Sequence, residues 1–160
     1  MGTPLTAMVR TEFDDSVPSS LAQYPVSGTA DPYNLFRGAL LYFDATDHKL
    51  TNANAADAIF AGVCDEQLVT DSFNSNAVVE DKLVFLVIYG RMKVFSAVCA
   101  KANLGAFVAA TAGSDNPFDL IVWNPGTSAG CVGVLDQVTE EGVSGMINIS
   151  RRISVTALPT

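Results

Sequence analysis

One stretch restricts the fold more than any other: Leu83-Val84-Phe85-Leu86-Val87-Ile88-Tyr89 is apolar at every position. Successive side chains of a strand point to opposite faces, so both faces of this strand must lie against something that excludes water. A sheet face open to solvent cannot carry such a sequence. Two arrangements satisfy it: a central strand covered on both sides within one chain, or a strand that gives one face to a subunit interface. Phe85, Val87 and Tyr89 are the candidates for such an interface. Trp123, the sole tryptophan, joins them as an anchor of either a core edge or an interface. The run is far too short to cross a bilayer, which takes about 20 apolar residues in a helix.

From Leu35 onward, short β-rich runs alternate with turn residues, and few stretches are long enough to hold a helix. Strands are expected over 38–43, 59–64, 83–88, 92–97, 106–109, 120–123, 131–135 and 145–149. Tyr89-Gly90-Arg91 reads as a tight hairpin joining the third and fourth of these, with Gly90 supplying a positive φ. Short helical pieces fit in two places. Asn52 or Asn54 could cap Ala55 to Ala58, and Ser96 to Leu104 could end at Asn103-Leu104-Gly105. The expectation is a mainly β, compact, barrel-like domain over residues 35–160 with one or two short helices.

Residues 1–34 differ from the rest. They hold Pro4, Pro18, Pro25 and Pro32 and show no sustained period of two or 3.6. Proline removes backbone donors and biases its predecessor towards extended conformations, so the segment should neither form a helix nor sit inside a sheet. Apolar residues nevertheless punctuate it, among them Leu5, Val9, Phe13, Val17, Leu21, Tyr24 and Tyr33. An extended arm of this kind gains order by lying across another surface, its own chain's or a neighbour's. These seven residues are the candidates for that contact.

Charge narrows the partners. Seventeen acidic and nine basic residues leave −8, a surface that nucleic-acid phosphates and anionic membranes repel. The close basic pairs, Arg91/Lys93 and Arg151/Arg152, have no interleaved aromatics of the kind that stack on single strands. Charged residues make up only 16%, against about 25% in an ordinary soluble domain, which points to surface covered by partners. No basic region followed by an apolar stretch opens the chain, so synthesis in the cytoplasm is the expectation.

No reactive constellation emerges. Cys64, Cys99 and Cys131 are odd in number, widely spaced and set among small apolar residues, which reads as buried free thiols. No Cys/His spacing suits a metal. His48, the single histidine, sits in the polar stretch Asp44 to Lys49, where Asp47 as its strand neighbour would point away from it. The carboxylate pairs Asp14/Asp15, Asp65/Glu66, Glu80/Asp81 and Glu140/Glu141 fall in arm or loop segments, as solvated charge does. There is no Gly-x-Ser-x-Gly elbow and no phosphate loop. Neither an enzyme nor a cofactor is expected.

The chain also repeats itself weakly. Gly38-Ala39-Leu40-Leu41 opens a unit closed by Gly62-Val63-Cys64-Asp65, and Gly105-Ala106-Phe107-Val108 opens another closed by Gly133-Val134-Leu135-Asp136. The offset is near 70 residues, which implies two related β-units around one core.

The order of these phrases resembles that of the head decoration, or cement, proteins of tailed bacteriophages. The arm comes first. It is followed by Arg37-Gly38-Ala39-Leu40-Leu41, Ala56-Asp57-Ala58-Ile59-Phe60-Ala61-Gly62-Val63, Gly105-Ala106-Phe107-Val108 and Gly130-Cys131-Val132-Gly133-Val134-Leu135. The similarity covers residues 35–150. It implies a β-tulip type domain on the outer surface of an expanded capsid. The implied partners are the major capsid protein and neighbouring copies of the chain, commonly as trimers, with the arm reaching across neighbours. Two rivals stand beside it: another virion component such as a tail-tube or head-tail joining protein, and a small β-barrel enzyme or binding module.

Overall fold

The computed structural model describes residues 12–14, 16–28, 30, 37–66 and 80–150. Among the described residues ten antiparallel strands form one curled, half-barrel sheet. They are β1 (Glu12–Phe13), β2 (Ser20–Pro25), β3 (Leu40–Phe43), β4 (Leu50–Thr51), β5 (Phe60–Cys64), β6 (Leu83–Phe95), β7 (Phe107–Ala110), β8 (Leu120–Val122), β9 (Gly133–Glu140) and β10 (Ser144–Ser150). The chain is therefore mainly β, as its short runs and turn residues require.

The long strand β6 organises the sheet. Its first half pairs with β5 at Leu86 and Val87, and its second half pairs with β10 from Tyr89 to Phe95. Both lie on the same edge of β6, because β2 and β1 occupy the opposite edge at the same residues. Two lobes thus meet on one strand. The first is β4-β3-β5-β6 and the second is β8-β7-β9-β10.

These lobes are the two sequence units. β3 pairs with β4 and β5 as β7 pairs with β8 and β9. The registers agree as well: Leu40↔Val63 and Leu41↔Gly62 in one lobe match Phe107↔Val134 and Val108↔Gly133 in the other. The opening glycines carry the same conformation, with φ of 94° at Gly38 and 81° at Gly105. They make equivalent bonds, Gly38 N–H to Cys64 O at 2.8 Å and Gly105 N–H to Leu135 O at 2.9 Å. Each Gly-Ala phrase is required where the chain turns tightly into a strand against the end of its partner.

The main core lies between the lobes. Leu40, Tyr42, Phe60, Val63 and Val87 of the first meet Met92, Val94, Val108, Leu120, Leu135, Ile147 and Ile149. A second core covers the other face of the first lobe with Val26, Ala39, Leu41, Leu50, Ala61, Cys64, Val84 and Leu86. Every residue of β5 is buried between the two. On β6, Val84 and Leu86 join the second core and Val87 the main one, so one face is covered within the chain over this part and the other only at Val87, with Leu83 and Phe85 exposed beside it. Beyond Gly90 the inward parity changes, to Met92 and Val94. A third, small cluster of Ala109, Trp123 and Cys131, with Phe107 against it, backs the second lobe.

Three expectations are corrected. The hairpin at Tyr89-Gly90-Arg91 does not exist: both halves are one strand of 13 residues, kinked at Gly90 with φ of 155°. A glycine between two β runs is compatible with a reversal or with a kink. Here β2 and β10 both reach Tyr89 and hold the chain extended through it. The helical pieces reduce, among the described residues, to one 3-10 turn at Lys101–Asn103, ending at Leu104 before Gly105. Ala55 to Ala58 forms a turn instead, held by Asp57 N–H to Ser128 O and Gly126 N–H to Asp57 Oδ1.

The third correction concerns the arm. Residues 12–13 and 20–25 lie inside the sheet, on β6, and Val26 beyond them is fully buried. The prolines permit this because the segment is an edge: Pro18 falls between β1 and β2, and Pro25 ends β2. Structurally, the part of residues 1–34 that includes Val26 belongs to the barrel rather than preceding it.

Candidate interaction surface

The described arm residues divide by where they point. Phe13 is half-buried against the main core, and Val17 is half-buried. Tyr24 packs edge-on to Phe43 with ring centroids 5.4 Å apart. Leu21 alone among them is presented outward, at 54% exposure. Leu5, Val9 and Tyr33 lie outside the described residues.

Leu21 does not stand alone. Beside it on β6 are Leu83, Phe85 and Tyr89, exposed by 55%, 43% and 46%. The ladder places Leu21 opposite Val87, Gln23 opposite Phe85 and Pro25 opposite Leu83, so these residues share one face of the β2–β6 pair. It is the face that carries Val87 on β6 and, one strand further in, Val63 on β5, both in the main core. The second lobe does not extend over it. An apolar sheet surface that begins as core therefore runs out into solvent, and residues at such a margin are half-covered, as these are. At its margin Phe85 N–H donates to Glu66 Oε1 at 2.8 Å.

Two proposed interface residues are elsewhere. Val87 and Trp123 are each 4% exposed and sit in the chain's own core clusters. Trp123 is thus a core anchor, its ring edge-on to Phe107. Leu83 was not among the candidates drawn from the sequence, although its place in the two-parity run marked it. Phe95, Val122 and Val143 are further exposed apolar side chains on and around the second lobe. Phe95 meets Phe118 edge-on at 5.7 Å, with the Lys93 ammonium over its ring.

One cluster of charged groups lies between arm and barrel. The Arg91 guanidinium donates from Nη1 to Asp14 Oδ2 at 2.6 Å, from Nε to Asp136 Oδ2 at 2.7 Å and from Nη2 to Gln137 Oε1 at 2.6 Å. Ser16 donates twice to Asp14 Oδ1. These Ser16 bonds, and after them Arg91, hold the Asp14 carboxyl below its ordinary range, while Asp136 and Asp14 raise the guanidinium. The sequence reading treated Arg91 only as a neighbour of Lys93. A lone arginine inside an apolar strand was the signal that it has acidic partners across the sheet.

No family model and no curated protein matches this chain.

His48 lies in a turn with φ of 59°, beside a shallow groove of about 630 Å³ whose walls include Phe43, Asp57 and Ile59. Cys64, Cys99 and Cys131 are buried free thiols. Burial pushes the first and last up to about 11. Among the described residues no group of three or more His, Cys, Asp or Glu is placed to hold a metal ion.

Proposed function

We propose that this chain is a virion structural protein that binds the outer surface of an expanded phage capsid, as trimers, and stabilises it against the outward pressure of the packed genome. Its partners on this reading are the major capsid protein and neighbouring copies of itself. The observation that carries the reading is the solvent-exposed apolar face of Leu21, Leu83, Phe85 and Tyr89, formed where the N-terminal segment lies along β6. It agrees with the order of sequence phrases and with an acidic surface that keeps clear of packaged DNA.

The mechanism is differential binding. A subunit opposes shell strain only by the margin with which it prefers the expanded lattice to the unexpanded one. Four half-exposed side chains, at about 1.5–3 kcal/mol for each complete burial, would supply roughly 3–6 kcal/mol when covered. Association entropy consumes much of that in a single contact. On a symmetric lattice, contacts to several neighbours act together, and a modest margin per contact becomes a firm hold.

The test is cosedimentation of the purified protein with expanded and with unexpanded shells of the capsid protein encoded in the same genome. Retention on expanded shells, at hundreds of copies per particle, is the expected result. Equal binding to both shells, or a stoichiometry of a dozen or fewer copies, would point to a ring at the tail or portal and overturn the proposal.

A further inference from the structure

The N-terminal segment is fastened to β6 in two parts of unequal strength. β2 runs beside β6 for six residues. The chain that follows it buries Val26 completely, with Val26 N–H bonded to Lys82 O and Asp81 N–H bonded to Val26 O. Among the described residues β1 pairs over two residues only. It adds one backbone bond, Asp14 N–H to Arg91 O at 2.8 Å, and half-buries a single ring, Phe13. Between the two lie Pro18 and the turn in which Ser16 caps Asp14, so the two pairings are not one continuous ladder.

We infer that β1 is a detachable strap and that Arg91 is its latch. The guanidinium is anchored from behind, since Nε and Nη2 are held by Asp136 and Gln137 on β9, and only Nη1 reaches forward to Asp14. A fork whose other donors are already occupied cannot follow Asp14 outward. A fluctuation of the strap therefore breaks the ion pair rather than stretching it, and the charge-assisted bond sets how often the strap opens. Opening frees the chain ahead of β2 and uncovers the edge of β6 at Met92 and Lys93, while β2 and Val26 remain in place. Regions with few buried contacts open in this way without global unfolding. The purpose of the device, though not its existence, rests on the capsid-binding reading. A strap kept on its own subunit in solution and released on the lattice would offer the edge of β6 only where neighbours are present.

Hydrogen exchange on the full chain tests the latch. Peptides covering residues 12–17 should exchange faster than those covering 20–28. In Arg91→Met the first should accelerate about tenfold or more, with peptides over 20–28 and 144–149 unchanged. Asp14→Asn should act in the same direction and less strongly, since an amide oxygen still accepts a bond. It also carries the test alone if Arg91→Met does not fold, because among the described residues the Asp14 side chain is bonded only to Arg91 and Ser16. Acceleration of 12–17 and 20–28 together would make the segment one unit and overturn the strap. No change in a folded variant would overturn the latch. The experiment contains no capsid, so its failure and a failure of shell binding are read separately.

Discussion

Replacing Val26 by alanine asks whether residues 20–28 are part of the barrel's cooperative core or an appendage resting on it. Val26 is fully buried among Leu41, Leu50, Val84 and Leu86, and both its backbone groups are bonded to the 81–82 turn. The substitution removes two methyl groups, worth about 1.6 kcal/mol at about 0.8 kcal/mol each. The space left behind adds about 1 kcal/mol, taking roughly 40 Å³ unrelaxed at about 24 cal/mol per Å³. The sum is about 2.5 kcal/mol. In urea, with a slope of about 2 kcal/mol/M, this lowers the midpoint by roughly 1.2 M at unchanged slope. In a thermal melt it lowers Tm by roughly 5–10 °C. A loss below about 0.5 kcal/mol, the size of an ordinary surface substitution, would refute the assignment of this segment to the barrel. A reduced slope would show that the segment unfolds separately.

Three further outcomes follow from the same packing. Tyr42 is fully buried with a hydroxyl that has no hydrogen-bond partner among the described residues. Tyr42→Phe should therefore be neutral or stabilising by up to about 1–2 kcal/mol in the urea titration, and a clear loss would reveal a partner for that oxygen. Phe85→Gln and Leu21→Gln alter half-exposed side chains and should change stability by less than about 1 kcal/mol. On the proposed function they lower retention on expanded shells, and undiminished retention in both would remove this face from the contact. Cys64 and Cys131, pushed up to about 11, should resist a thiolate-specific reagent at pH 8 until denaturant is added, whereas prompt labelling of the native protein would contradict their burial. Above pH 9 the unfolded chain gives up these thiol protons while the folded one keeps them. The unfolded state then binds fewer protons, and stability falls as pH rises towards 11.

Most strands could be read along the chain because a half-buried strand needs only local pattern. The runs at 59–64, 120–123 and 145–149 come within two residues of β5, β8 and β10. The repeat was equally legible, since Gly38-Ala39 and Gly105-Ala106 carry the same turn and the same bonds. Of the exposed apolar face, Phe85, Tyr89 and Leu21 stand out in the sequence by residue type, while Val87 and Trp123 are internal. Composition says that a side chain avoids water, not which neighbour covers it.

What the amino-acid order settled alone was the inventory: β runs, turn glycines, buried thiols and a strand that is apolar at both parities. Which pieces meet was decided only in three dimensions. Gly90 could reverse the chain or kink it, and an extended proline-punctuated segment could trail away or become an edge. The choice fell to β10 and β2, distant in sequence, which supply the backbone partners that hold β6 extended through Tyr89. Backbone hydrogen bonds between strands are made by groups every residue possesses, so the sequence carries little trace of which strands they join.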